Sequence, residues 1–172
     1  FIFETGYWPA IVRGGLIDTI EHEHIHYFAV NPLAKFFTRN GLKLVAVEEH
    51  PTKGGSLRGY VRFADQPMLD DSVRQFSAWE AGVHRLLPEW AGGLSLLRQD
   101  IDALIATKPA SARWVGYGAA VGSTLLLHHF RLGSVLSELW DVNENKQGRF
   151  SPGFHLPVVP PNASTPDAIV IL

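Results

Sequence analysis

The chain has 172 residues, of which 46% are hydrophobic and 19% are charged, as in an ordinary globular protein. Its formal net charge of −2 gives no field that would recruit nucleic acid or an anionic membrane. There is no cysteine, which excludes disulfides and thiolate metal sites. Since no apolar run reaches the roughly 18 residues that cross a bilayer, we expect a cytoplasmic protein that binds neither nucleic acid nor a membrane.

Both termini lie in apolar sequence. The chain starts with Phe1–Phe3 and no initiator Met, and it ends in the β-rich run Ala168–Leu172. A strand needs neighbours along its edges, so we expect further residues on both sides. A trimmed but complete domain is the alternative.

The first 64 residues predict a strand, a helix and a hairpin. Asn31 can cap the helix, Pro32 fits its first turn, and Gly41 ends it. The last two strands alternate in polarity and are joined by a turn at Pro51–Gly55. The predicted elements are a strand over 1–5, a helix over 31–40, and strands over 42–47 and 56–63.

Beyond residue 64, where we place the domain boundary, nearly all residues at steps of three and four are apolar. Such steps are typical of helices with one apolar face, here broken near Pro88. We interpret the stripe as part of a core. Its members are Val73, Phe76, Glu80, Val83, Leu87, Trp90, Leu94, Leu97, Ile101 and Leu104.

The remaining sequence alternates strands with a helix, which favours a parallel sheet and an α/β fold. A Pro-rich loop is predicted over 157–166. The other predicted elements are strands over 113–117, 135–141 and 169–172, and a turn and helix over 118–130.

The most unusual segment is Ile20–Phe28, with three histidines among carboxylates. Imidazole titrates near neutral pH, and an adjacent carboxylate can orient it. These are the properties of a base that removes a proton beside a carbonyl. Two alternatives are open: His22, His24 and His26 could bind a metal from one face of an extended segment, or all three could be solvated surface residues.

Two glycine-rich turns could contact phosphate. In the first, the amides of Gly54, Gly55 and Ser56 could take a phosphate oxygen, and Lys53 and Arg58 add positive charge. A plain hairpin turn explains these glycines equally well.

The second turn, Gly116–Gly122, follows a strand and opens a helix, and Asp141 ends the next strand. This approximates a dinucleotide fingerprint whose third glycine is displaced by one residue. An alternative function is therefore a Rossmann-type dinucleotide-binding module resting on Gly116, Gly118 and Asp141.

Several motifs follow one another along essentially the whole chain: Glu4–Pro9, Asp18–Phe28, Gly54–Arg58, Gly116–Ala120, Lys146–Arg149, Pro152–Gly153 and Leu156–Pro157. Together they resemble the C-terminal region of the S-adenosylmethionine-dependent sugar C-methyltransferase family. The resemblance implies transfer of a methyl group to a carbon of a nucleotide-linked keto sugar.

The family has a cysteine-rich zinc-binding N-terminus, a donor-binding Rossmann domain and a second Rossmann-like domain. The resemblance implies that residues 1–64 are the end of a class I methyltransferase sheet, the tail of the donor-binding domain, with the catalytic loop. Residues 65–172 would then be a helical segment plus the Rossmann-like C-terminal domain. The glycine-rich donor loop and the N-terminal domains are expected to lie outside this chain, which would bind no donor and be inactive alone.

The resemblance also implies roles for individual residues. His24 would be the base and Glu23 its partner, and Glu21 stands where some relatives carry a Tyr. Relatives often have His at Lys53, and they usually carry Lys or Arg in the loop near Val121. No metal is implied in this part. The implied substrate-binding residues are Tyr7, Lys53, Gly54, Gly55, Ser56, Arg58 and Gly118.

Overall fold

The structure is a computed structural model that describes residues 1–162 and 165–172. It divides into two compact units. The first contains Phe1–Leu16 and His24–Leu94, and the second contains Ile17–Glu23 and Ser95–Leu172. Helices and a parallel sheet are both present, which confirms the predicted α/β class.

The first unit is built on a three-stranded sheet in the order β1–β3–β2. Strand β3 pairs antiparallel with both neighbours, which confirms the predicted hairpin. The elements are β1 (Ile2–Gly6), α1 (Trp8–Gly14), α2 (Val30–Arg39), β2 (Leu42–His50), a 3₁₀ turn (Thr52–Gly54), β3 (Ser56–Phe63), α3 (Ser72–Glu80), a second 3₁₀ turn (Val83–Arg85) and α4 (Leu86–Ala106), which from Ser95 belongs to the second unit.

An apolar core joins α2 to one face of this sheet. Val73 and Phe76 of α3 are partly buried and pack against it. The first unit therefore extends past residue 64, where the boundary was predicted, and ends at Leu94. The buried members of the core are Tyr7, Ala10, Val30, Leu33, Phe37, Leu44, Val47, Leu57 and Val61.

Helix α2 confirms the predicted helix, but the prediction that Asn31 caps it is wrong. Asn31 lies inside the helix, and the carboxylate of Glu80 in α3 accepts the N–H groups of Val30 at 2.5 Å and Asn31 at 2.9 Å. A negative charge at this end is favourable because the first N–H groups of a helix lack partners within it.

Two helices follow as predicted, but the chain breaks before Pro88. Pro88 is the third residue of α4, in the first turn, where a missing N–H removes no helical hydrogen bond. All residues of α4 are described, and none is buried. Leu97 is 47% exposed and Leu104 is 59% exposed, so the interpretation of the stripe as core is wrong for α4.

The second unit contains a four-stranded sheet in the order β6–β5–β4–β7. Each neighbouring pair is parallel, as predicted. Strand β6 lies inside the predicted Pro-rich loop, so that prediction is wrong at its two residues, and residues 163–164 of that loop fall outside the described residues. The elements are β4 (Trp114–Tyr117), α5 (Val121–His129), a 3₁₀ turn (Leu132–Ser134), β5 (Leu136–Trp140), β6 (Val158–Val159) and β7 (Ala168–Ile171).

Counted along the chain, the strands of this sheet lie in the order third, second, first, fourth. The first four strands of a doubly wound sheet have the same order, and ligands bind there beyond the carboxyl ends of the strands. The loop from Gly118 to Ala120 occupies that edge, between β4 and α5. Among the residues that the structure describes, no helix is both long enough and apolar enough to cross a membrane.

Candidate functional site

The histidine-rich segment is part of a loop between α1 and α2. Glu21 is half-buried, whereas the predicted base His24 and its neighbour Glu23 are exposed. At the far end of the loop, the backbone N–H of Trp8 donates to the carbonyl of Phe28 at 2.9 Å. The loop thus presents His24 and Glu23 to solvent, whereas Glu21 is only partly accessible.

A row of aromatic rings, Tyr27, Trp8 and Trp90, continues from the ring of His24. The His24 and Tyr27 centroids are 6.5 Å apart at 89°, Tyr27 and Trp8 are 5.4 Å apart at 66°, and Trp8 and Trp90 are 5.9 Å apart at 88°. Each contact has the edge-to-face geometry that aromatic rings prefer. The row therefore supports the imidazole of His24 from one side.

His26 has different surroundings. Its ring stacks on Phe28, with centroids 6.2 Å apart and planes at 18°. His24 and His26 are thus not equivalent. Nothing in the sequence predicted the aromatic row beyond the presence of Trp8 and Tyr27 in two of the motifs.

No group of three His, Asp or Glu side chains that could hold a metal ion occurs among the described residues. The alternative of a metal on His22, His24 and His26 therefore has no support in the geometry. A metal site needs its ligands to converge on one point.

The first part of the loop belongs to the second unit. Ile17 is buried, and Asp18 lies against the start of α5, where a Cβ on Gly122 would come within 2.6 Å of the Asp18 carbonyl oxygen. Glu21 and Glu23 are thus in the unit of the parallel sheet. The prediction placed the whole catalytic loop with residues 1–64.

The first glycine-rich turn is packed against the chain itself. A Cβ on Gly54 would clash with Leu16, and one on Gly55 would clash with Ala10. Both glycines also have positive φ, at 83° and 134°. The amide of Gly55 donates to Thr52 at 3.0 Å, so backbone shape and packing account for both glycines.

The other predicted residues of this turn differ in exposure. Ser56 is buried, and its hydroxyl donates to the Thr52 carbonyl at 3.2 Å. The side chain of Lys53 is exposed. Contact with phosphate stays a prediction for this turn, and Lys53 is the side chain that could provide it.

Arg58 lies between two carboxylates on the open face of the antiparallel sheet. Its guanidinium donates to Glu4 at 2.9 Å and to Glu48 at 3.3 Å. The hydrogen bond from Arg58, followed by one from Thr52, lowers the pKa of Glu4. A phosphate at Arg58 would have to compete with these two acids.

Tyr7 is in the core of the first unit, and its contact with substrate stays a prediction. Its side chain is completely buried, and its hydroxyl donates to Glu80 at 2.9 Å. Burial, reinforced by the charge of Glu80, raises the pKa of Tyr7. Tyr7 therefore stays neutral and holds Glu80 at the start of α2.

The second glycine-rich turn is also occupied by the chain. Gly118 has a φ of 110°, and its N–H donates to Trp140 at 2.8 Å. A Cβ there would lie 2.9 Å from the carbonyl oxygen of Leu172. The backbone conformation and the close approach of Leu172 therefore account for the glycine at position 118.

Asp141 is buried at the end of β5 and accepts N–H groups of Asn143 at 2.8 Å and Ala119 at 2.9 Å, and the ammonium of Lys146 at 3.1 Å. Burial acts to raise the pKa of Asp141, but these donors outweigh it and the pKa is lowered. In a dinucleotide site the corresponding acid takes a ribose hydroxyl. Here its contacts within the chain are enough to explain Asp141.

The protein has an α/β fold and an exposed Glu-His segment. The first part of the loop that carries this segment belongs to the unit with the parallel sheet. Residues 51–172 match the family described as the C-methyltransferase C-terminal domain, and the chain belongs to that family. It is also 30% identical over 185 residues to the C-methyltransferase NovU of Streptomyces niveus. That alignment covers all of this chain and 43% of NovU, so the chain spans less than half the length of this relative.

Proposed function

We propose that the chain is the C-terminal part of an S-adenosylmethionine-dependent methyltransferase that acts on a carbon of a nucleotide-linked keto sugar, with His24 as the base. Membership of the C-methyltransferase family supports the reaction class, and the motifs that resemble sugar C-methyltransferases support the sugar. The observation that carries the role of the base is the position of His24, exposed after Glu23 with its ring held against Tyr27.

The proposed reaction requires a residue of this loop to accept one proton. A carbon beside a keto group becomes a nucleophile when it loses a proton and the C–H electron pair passes into an enolate. The neutral imidazole of His24 accepts that proton, and the carboxylate of Glu23 stabilises the resulting positive charge. A positioned base of this kind contributes about 10²–10⁴-fold to the rate.

S-adenosylmethionine would supply the electrophilic methyl group, but the described residues of this chain do not fit it. The candidate cradles are the two glycine-rich turns, since backbone amides in such turns hold anionic groups. In each turn a glycine amide already donates to a carbonyl of the chain, from Gly55 to Thr52 and from Gly118 to Trp140. We therefore assign the donor to the part of the enzyme outside this chain and give no residue here a role in holding it.

For the nucleotide sugar, two places in the chain carry suitable groups. Lys53, with Arg58 close by in sequence, offers positive charge to a diphosphate. The loop at Gly118 lies at the carboxyl edge of the parallel sheet, where doubly wound folds take nucleotides. Tyr7 is buried, so a direct contact with the sugar would need its side chain to become accessible.

The test is His24→Asn in the full-length enzyme, with exchange of solvent deuterium into the sugar carbon as the measurement. Exchange reports proton removal without methyl transfer. We expect the exchange rate and kcat to fall by about 10²–10⁴-fold, with little change in KM, because a base acts mainly in the transition state.

His22→Asn and His26→Asn are the matched controls, and both should exchange near the wild-type rate. Wild-type exchange in His24→Asn would show that His24 is not the base. If His26→Asn abolishes exchange instead, the motif has been aligned in the wrong register.

A further inference from the structure

We propose that the parallel-sheet unit holds the base-bearing loop through Gly122, which makes Gly122 a positioning residue for His24. The effect on catalysis rests on the proposed function, whereas the anchoring of the loop rests on the structure alone. The loop is the segment Ile17–Phe28, and its first seven residues belong to the second unit.

The backbone conformation at position 122 does not require glycine. Gly122 is the second residue of α5 and is absent from the residues with positive φ. Alanine would favour the helix there, because glycine is the poorer helix former. What requires glycine is the approach of a second segment of chain.

That segment is the backbone around Asp18. A Cβ on Gly122 would lie 2.6 Å from the Asp18 carbonyl oxygen and 3.3 Å from its carbonyl carbon. These are main-chain atoms, which cannot turn aside as the end of a long side chain can. A methyl group at 122 would therefore displace the backbone of the loop.

A displacement of the backbone at Asp18 would be transmitted along the loop to His24. Ile17 is buried, and the N–H of Ile20 donates to the Ile17 carbonyl at 3.0 Å, which makes this start of the loop a closed turn. Glu21, Glu23 and His24 follow directly. A misplacement of about 1 Å in a catalytic group can cost about 10²-fold in rate.

Gly122→Ala in the full-length enzyme is the test, and Gly93→Ala is its control. Both replace a glycine inside a helix, but a Cβ on Gly93 meets nothing within 4 Å. Hydrogen–deuterium exchange of the amides in 17–23 reports the loop, and deuterium exchange into the sugar carbon reports the base.

In Gly122→Ala we expect faster amide exchange in 17–23 and a fall in kcat and sugar-carbon exchange of at least tenfold, up to about 10²-fold. KM for S-adenosylmethionine should not change, which separates lost positioning from general damage. Gly93→Ala should match the wild type in every measurement.

If Gly122→Ala does not fold, Ile17→Ala removes the buried side chain of the same turn, leaves the sequence of α5 unchanged and should give the same pattern. Unchanged amide exchange in 17–23 would overturn the anchoring. Faster amide exchange with wild-type sugar-carbon exchange would overturn the positioning role. If His24→Asn keeps wild-type exchange, the base assignment fails, but amide exchange in Gly122→Ala still decides whether the loop is anchored there.

Discussion

Helices α2 and α4 both carry apolar residues at steps of three and four, but these residues end up in different environments. In α2, Val30, Leu33 and Phe37 are buried against the antiparallel sheet. In α4, all of whose residues are described, the apolar positions stay half-buried or exposed. The spacing of apolar residues therefore identifies the face of a helix but not whether another element covers that face.

The largest loss of stability is expected for a substitution in α2, the buried helix of this pair. Phe37→Ala removes a ring that lies 5.8 Å from the rings of both Phe1 and Phe3. We expect a loss of about 3–5 kcal/mol in the free energy of unfolding, since the core would keep a cavity. Urea denaturation measures it, and a loss below about 1 kcal/mol would contradict the buried position of α2.

An added methyl group in the turn before β3 should also lower the free energy of unfolding, because it would lie against the same core. Gly55→Ala combines a φ of 134° with a clash against Ala10 of the core. We expect a loss of about 2–4 kcal/mol from backbone strain and overpacking.

Gly41→Ala is the control for strain alone, because its φ is 70° and a Cβ there meets nothing within 4 Å. It should cost about 1 kcal/mol. Equal losses in the two variants would show that the contact with Ala10 costs nothing.

Tyr7→Phe tests how the start of α2 is held. The change removes one hydrogen bond to Glu80, which keeps those from Val30 and Asn31, and we expect a loss of about 1.5 kcal/mol at pH 7.

Burial raises the pKa of Tyr7, so its contribution is complete below the unfolded pKa of about 10 and is lost as pH rises above that value. The stability difference between wild type and Tyr7→Phe should therefore shrink above pH 10 in urea denaturation. A difference that is constant with pH would contradict a buried, neutral phenol.

The smallest effect belongs to α4. Leu97 is 47% exposed, so Leu97→Ala should change the free energy of unfolding by no more than about 0.5 kcal/mol. A loss of 2 kcal/mol or more in the same denaturation assay would restore the prediction that the stripe is core.

The sequence predicted those parts of the fold that depend on neighbouring residues. Helix α2, the hairpin of β2 and β3, and the parallel sheet follow from spacing, turn residues and the alternation of strands with a helix. The cap of α2 could not be predicted, because Glu80 lies 50 residues from Val30. Within the helical stripe, Glu80 was the charged exception, and the structure gives the reason.

The candidate site was predicted in part. The motif with His24 and Glu23 marked an exposed loop, but the place of the first part of that loop in the second unit depends on Asp18 and Gly122, which are distant in sequence. For Tyr7, the resemblance implied contact with substrate, whereas burial is a property of three-dimensional packing. A motif identifies a position, and the structure decides what its side chain touches.

The aromatic row also makes the loop visible by optical spectroscopy. The indoles of Trp8 and Trp90 stand nearly perpendicular with centroids 5.9 Å apart, and such fixed aromatic packing is what near-ultraviolet circular dichroism detects. Tyr27 connects this pair to His24. A ligand that moves Tyr27 would change the spectrum, so its binding to the loop could be titrated in solution without a label.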